Sequence, residues 1–480
     1  MSSPDIASPD TDKARLWQFV DGRRPDFQTL NDQIWEKPEL NFEEHYASSL
    51  HARQLGAAGF RVTTGIADMP TALMGEAGHG GPVIAILGEF DALPELSQQA
   101  GVAQAAPVQT GGHGHGCGHN TLGSASLMAA VALHDYLQAR GLPGRVRYYG
   151  CPAEEGGSSK GFMVRAGVFD DVDVAICWHP AFFTGVNRPF SLACAEFAFH
   201  FKGRAAHASM APHLGRSALD AVELMNVGVN YMREHMPPTA RVHYALIDGG
   251  GRAANVVQAN AVVQHLIRAQ NLDEMWSLVE RVKKVAQGAA LMTETEVTSR
   301  QLSGDANLVG NKVLEQVMFE NLTALGSPGF DDADRAFAAE IQQSLSATEI
   351  AQSYTRFGMA VKDGEALNDD VYPLGGGSDT AVGSTDVGTV SWVVPTVQCR
   401  VACYAVGTPG HSWQLVAQGK SGAAHKGMVH AAKAMAGVGA DLFERPDVLA
   451  AAKAEFQSFR ARNPFRNPIT DEMQPDFPAA

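Results

Sequence analysis

The residues of this chain predict an α/β fold whose mixed sheet is interrupted by an inserted β-α-β-β-α-β unit. Three observations carry that expectation. Short, wholly apolar runs such as VIAIL at 83–87 read as strands covered on both faces. Long segments with apolar residues at helical spacing alternate with them. Near Leu192 the pattern changes to alternating strands and two helices, in the order of the split βαβ or ferredoxin-like unit. A length of 480 residues allows about three domains. The expected division is one main domain in two parts, 1–191 and 306–480, with 192–305 as the insert.

In chain order, residues 1 to about 12 are Ser/Pro/Asp-rich and expected to fray, and 14–35 form a helix. The turn WEKPELNFEE (35–44) leads to a second helix at 46–58 and the strand at 83–87, which runs into Glu89 and Asp91. A helix at 121–139 follows the glycine-rich stretch, with Asn120 or Thr121 as its cap and Gly141 as its stop. Strands at 145–149 and 172–177 run into CPAEEGG and WHP. The insert has strands at 194–201, 241–247, 260–268 and 293–301, and helices at 217–233 and 272–288. Beyond it, strands are expected near 388–394 and 400–406, and a helix at 422–436. Gly375 to Gly377 lack the GK[ST] of a phosphate loop and read as a connection.

A net charge of −15 argues against a nucleic-acid or anionic-membrane partner. The six cysteines are scattered without a CxxC pair, and those other than Cys117 read as buried small hydrophobes. The first 17 residues hold no apolar core of the signal-peptide kind, and no stretch is long enough to span a bilayer. A reduced, cytoplasmic protein is expected.

The chemistry gathers around GHGHGCGHN (112–120), where Cys117 and His119 sit on a nearly side-chain-free backbone. Thiolate and imidazole are ligands for zinc and similar ions, and glycines let backbone approach one closely. A His/Gly-rich linker is the plain alternative. Glu154 and Glu155 follow one strand and His179 another, the position where open α/β sheets collect ligands, and His411 lies in the turn GTPGHSW. Neighbouring side chains on extended backbone point oppositely, so one carboxylate can serve a metal and the other a water. Singly, an acidic turn or a core histidine explains each. Jointly, Cys117, His119, Glu155, His179 and His411 make a donor set of the size a two-metal site needs, with Glu154 left over as base. In the insert, His207 lies just past a strand, and Asn255 and Arg268 bracket the next one. Arginine at a strand end forks a carboxylate, and Asn or His can donate to an oxyanion, although polar residues on a sheet edge look the same.

These stretches, together with YYGCPAEEGGSSK, FKGRAAHAS and NVVQANAVVQHLIRA, resemble the amidohydrolase branch of the M20 metallopeptidase family over about residues 15–440. The resemblance implies a two-metal hydrolase domain with an inserted dimerisation or lid domain. It matches Cys117, His119, Glu155, His179 and His411 to metal ligands and Glu154 to the general base. It further implies that His207 reaches the active site of a neighbouring subunit, and that Asn255 and Arg268 contact the scissile carbonyl and the substrate carboxylate. Many M20 members carry an HxD ligand motif where this chain has Glu89 and Asp91 in GEFDALP, so Glu89 is left off the expected ligand set. Two divalent ions are implied, zinc favoured by the thiolate and manganese by the carboxylates. The expected reaction is hydrolysis of an N-acyl or N-aroyl amino acid such as p-aminobenzoyl-glutamate, with indole-acetyl conjugates, dipeptides and simple N-acyl amino acids as rivals. A homodimer through the insert, or a hetero-oligomer with a related subunit, is the expected assembly. A cysteine hydrolase using Cys117 would need no carboxylate pair. A non-catalytic metal-binding subunit is the third reading.

Overall fold

The computed structural model describes residues 9–186, 189–375 and 383–477. Of the stretch 1–12 expected to fray, residues 1–8 lie outside them, as do 376–377 of the glycine triplet, whereas 9–12 belong to the helix Pro9–Glu36.

The long apolar runs form the middle of a mixed eight-stranded sheet. Its first five strands are β1 (Arg61–Thr64), β2 (Leu73–His79), β3 (Val83–Glu89), β4 (Gly144–Cys151) and β5 (Val174–Ala181). β6 (Thr184–Val186), β11 (Val371–Tyr372) and β12 (Thr396–Ala402) complete it, in the order β1-β2-β4-β3-β5-β12-β6-β11. β4, β3, β5 and β12 run parallel, while β1 and β2 close one side antiparallel. Every residue of β3 is buried, and its two faces serve different cores. Ile84 and Ile86 pack with α3 (His119–Arg140), whereas Val83, Ala85 and Leu87 pack with Phe162 and Met163 of α4 (Ser159–Arg165). A strand covered on both faces needs no polar alternation, which is why this one reads as an unbroken apolar run. α1 (Pro9–Glu36) and the helix Gly422–Glu444 pack beside α3.

The region after Leu192 forms a second sheet. β7 (Ala193–Lys202), α5 (Ala218–Met232), β8 (Arg241–Asp248), β9 (Asn260–Ala269), α6 (Leu272–Thr293) and β10 (Glu296–Asp305) follow one another, and the strands lie antiparallel in the order β10-β7-β9-β8. Phe197, Phe199, Val263 and Ile267 meet Val222, Met225 and Val279 in a core of its own.

Three local expectations give way. Residues 387–391 form the short helix Val387–Ser391, and the strand begins only at Thr396. Val387 to Ser391 are all buried, and a run buried on every side carries no period to separate helix from strand. The helix expected at 121 begins at His119, entered from Gly118 at φ +81°. Asn120 and Thr121 do not cap it; their side chains donate to Asn31 Oδ1 at 2.9 and 3.0 Å. Glu154 and Glu155 lie in a turn rather than on extended backbone, because Ala153 turns the chain at φ +52°.

Candidate metal centre

The glycine-rich loop brings two donors to one point. Gly118 stands between Cys117 and His119 in left-handed conformation and turns the chain directly into α3. At Gly114 an added Cβ would lie 2.3 Å from Leu96 O, so the close approach of the loop to its neighbour requires glycine. Cys117 Sγ lies 3.4 Å from His179 Nε2 at the end of β5. His179 Nδ1 donates to Pro180 O at 2.8 Å, which leaves Nε2 as the lone-pair nitrogen facing the thiol. His119 Nδ1 donates to Asp91 Oδ1 at 2.7 Å, and its Nε2 is buried without a hydrogen-bond partner.

The other donors converge on the same space. Glu154 Oε2 and Glu155 Oε1 each lie 3.9 Å from His119 Nε2, and Glu155 Oε2 lies 3.3 Å from His411 Nε2. The backbone N–H of His411 donates to Gly116 O at 2.9 Å, tying the GTPGHSW turn to the glycine-rich loop. Cys117, His119 and His179 form one trio whose donor atoms lie within 4.8 Å of one another, and Cys117, Glu155 and His411 form a second. Cys117 is common to both. The His411 side chain is 56% exposed while that of Glu155 is 8% exposed, so the cluster opens to solvent on the His411 side.

The profile of Peptidase family M20/M25/M40 matches residues 85–396. Along the whole chain, one of the subunits of the p-aminobenzoyl-glutamate hydrolase of Escherichia coli K12 is 44% identical over 96% of this protein and 98% of its own length. The chain belongs to the M20 family. It is a hydrolase of amide bonds. The Xaa-Arg dipeptidase of Mus musculus is 28% identical, over 93% of this chain and 92% of its own. A dinuclear metal-binding peptidase of the M20 family from Bacillus subtilis shares the fold at a TM-score of 0.53 and 17% identity, over 86% of this chain and 99% of that one.

Around the donors, the M20 chain builds a buried polar surround that sequence reasoning missed. Asp91 joins two of them: Oδ1 accepts from His119 and Oδ2 from the Glu155 backbone N–H at 2.9 Å. Lys160 is wholly buried, with Nζ 2.7 Å from Glu89 Oε1 and 2.6 Å from Asp386 Oδ1. Glu44 accepts from the Ala153 N–H at 2.8 Å and holds the turn that presents Glu154. Asp91 stands in GEFDALP at the end of a buried strand, a usable signal. Lys160 closes the stretch YYGCPAEEGGSSK and Glu44 the turn WEKPELNFEE, but neither these stretches nor the surroundings of Asp386 show that the three side chains are buried around the donors.

The charges are unbalanced as the residues stand. Burial, then the neighbouring carboxylates Glu89 and Glu155, push the Glu154 carboxyl well above its ordinary range, and burial raises Glu155 too. Burial, with Arg400 and His119 nearby, lowers His179 to about 3, so its ring is a neutral donor. Burial, then Glu155, push the Cys117 thiol up. Asp91 holds the His119 ring well above its ordinary range in spite of its burial, and the crowded buried acids around it, with the neutral His179 imidazole and the thiol, form a donor set that a divalent cation would suit. The orphaned His119 Nε2 and Glu155 Oε1 are the atoms such an ion would satisfy.

The fold does not bring His207, Asn255 or Arg268 into this cluster's trios. His207 is exposed on the second sheet's loops, its Nδ1 accepting from the N–H groups of Ser209 and Met210 at 3.2 Å. Asn255 O accepts from Ala208 N–H at 3.0 Å and His207 bridges to Val256, so the two loop segments run side by side. Arg268 stands opposite Cys194 and Arg241, its Nε buried without a partner. Among the described residues no carboxylate lies within ion-pair distance of it. No described helix is long and apolar enough to cross a membrane.

Proposed function

We propose that this M20 chain hydrolyses the amide joining an N-acyl or N-aroyl group to an amino acid, with p-aminobenzoyl-glutamate or a similar acidic conjugate as substrate. The observation that carries the reading is the pair of trios sharing Cys117, with Glu154 beside them and in neither. Cys117, His119 and His179 would hold one ion and Cys117, Glu155 and His411 the other. The thiolate suits zinc and the carboxylates suit manganese. When bound, such ions polarise a carbonyl and make water nucleophilic at neutral pH.

The remaining chemistry belongs to side chains. Glu154, beside both trios and in neither, takes the proton of the attacking water and returns it to the leaving amine. Arg268, with donors to spare, takes the substrate carboxylate. Asn255 and the adjacent His207, from a second copy of the chain, donate to the developing oxyanion. We read 192–305 as a ferredoxin-like lid and dimerisation domain inserted between the catalytic parts 1–191 and 306–480. Exposed Leu224, Val227 and Tyr231 on α5 and Tyr244 and Leu246 on β8 support a homodimer through it. The Escherichia coli relative is one chain of an enzyme with more than one kind of subunit, which supports a second assembly in which a related chain completes the enzyme.

The test is turnover by the purified chain, stripped with chelator and reloaded with zinc or manganese, on p-aminobenzoyl-glutamate, indole-acetyl-aspartate and simple N-acyl amino acids. Cleavage restored by metal is expected. Cleavage that survives the chelator sinks the reading.

A further inference from the structure

From Asn463, where the helix Pro446–Arg462 stops, to Phe477 the chain has neither helix nor strand, yet Pro468, Ile469 and Met473 within it are buried. Ordering such a stretch costs backbone freedom that only its contacts offset, and irregular stretches of this length in compact domains are usually functional. Pro464, Pro468 and Pro475 lower that cost by fixing φ.

On one side the stretch is anchored to α4 and to the turn before Glu44. Asn467 Nδ2 donates to Gly161 O at 3.1 Å, and a Cβ added at Gly161 would meet Ile469 Cγ1 at 2.4 Å. Arg165 Nη1 donates to Thr470 O at 2.6 Å and to Met473 O at 2.7 Å, and the Phe477 ring stands edge-on to Phe42 at 5.3 Å. Gly161 follows Lys160, and Phe42 lies two residues before Glu44, so both anchors adjoin the surround of the metal centre. On the other side the stretch holds the second sheet's unit. Pro468 O accepts from Gln301 Nε2 of β10 at 2.8 Å, Arg466 lies 4.0 Å over the centre of the Trp276 ring of α6, and Phe465 packs on that unit's core.

The backbone enters this unit at 192–193 and leaves it at 305–306. Cys194 and Asp305 stand opposite each other there, with Cys194 Sγ donating to Asp305 Oδ2 at 3.2 Å. Two crossings side by side make a hinge. Pro468 lies directly against it, since a Cβ added at Gly304 would come 2.9 Å from Pro468 O. Residues 465–470 therefore step from one unit to the other over the hinge, as a further, non-covalent tie.

We infer that residues 463–477 are a strap across this hinge, with Pro468 as its crossing point, and that the strap holds the 192–305 unit at the angle where Arg268 meets the substrate. The inference rests on the reading above that this unit is a lid carrying Arg268. Swinging the unit away requires Gln301 to leave Pro468 and Trp276 to leave Arg466, whereas the anchors on Gly161 and Arg165 stay in place.

The test uses the full, metal-loaded chain as wild type, Gln301→Ala, Arg466→Ala and the double variant; neither side chain is buried, so the cores are spared. Two quantities are read: hydrogen exchange of the amides at 192–196 and 302–307, and steady-state kinetics on p-aminobenzoyl-glutamate. In the double variant both crossings are expected to exchange faster with the rest of the chain unchanged. KM should rise about tenfold at near-normal kcat, the effect of losing one neutral hydrogen bond and one cation–π contact. Wild-type exchange at the crossings overturns the strap. So does faster exchange spread through α4 and the eight-stranded sheet with kcat falling alongside, which makes the stretch a part of the core only. Faster exchange confined to the crossings with an unchanged KM supports the strap and overturns the lid reading instead. A wild type that cleaves nothing overturns the proposed activity, and exchange then decides the strap by itself. Should the double variant fail to fold, the single variants decide by the same readouts.

Discussion

Replacing Asp91 by Asn tests the centre through a residue outside its proposed ligands. Asp91 is 1% exposed, and its two side-chain oxygens accept from His119 Nδ1 at 2.7 Å and from the Glu155 N–H at 2.9 Å. Asparagine keeps the shape but has one oxygen. If that oxygen stays with Glu155, the amide NH₂ donates to His119 Nδ1 and moves the imidazole proton to Nε2, the nitrogen required for the ion. If it stays with His119, the NH₂ faces the Glu155 N–H, donor against donor. Either way one hydrogen bond to a charged acceptor is lost, worth about 1.5–3 kcal/mol. At about 1.4 kcal/mol per factor of ten, one ion should bind about 10–100-fold more weakly, the range for residues that orient metal ligands. The assay is competition with a chromophoric chelator, zinc and manganese in turn, on stripped wild type and Asp91→Asn. Dissociation constants within about twofold of wild type for both ions would refute the orienting role, since no arrangement of an amide satisfies both partners.

Glu154→Gln should lower kcat by about 10²–10⁴-fold with both ions retained on metal analysis; near-normal turnover removes Glu154 as the base. Lys160→Met strands Glu89 and Asp386 in the interior, so the denaturant midpoint should fall by an amount equivalent to about 3–5 kcal/mol; an unchanged midpoint would contradict the buried network. His430 is 5% exposed, and burial, then Lys433, lower it to about 4. Its folded pKa lies below the unfolded value near 6.5, so below that pH the unfolded chain takes a proton that the folded chain refuses. The contribution is intact above pH 6.5 and is lost as pH falls towards 4, at up to about 1.4 kcal/mol per pH unit. His430→Leu should flatten the dependence of stability on pH in that window relative to wild type, and equal slopes would show that the histidine is not held neutral.

Much of the fold was legible because its elements obey local rules. β3 announces itself as an apolar run because both its faces are covered, and the second sheet's strands alternate because one face packs on α5 and α6. The helix Val387–Ser391 was misread as strand for the converse reason: buried all round, it shows no period. In the centre, Cys117 and His119 were visible through their glycines, and Glu154, Glu155 and His179 through their places after strands.

The sequence by itself determined which donor chemistry is present and where the chain turns to present it. Only the tertiary structure decided how that chemistry is held. Lys160 and Asp386 are 226 positions apart, and Glu44 and Ala153 109 apart, so no local pattern links them. The turn at Ala153, which sends both Glu154 and Glu155 towards His119, exists because Glu44 holds it from a distant segment. A metal centre needs its donors within a few ångströms of one point, and the buried groups that fix their charge and orientation are recruited by packing. Packing joins residues through space, and their order along the chain leaves no trace of it.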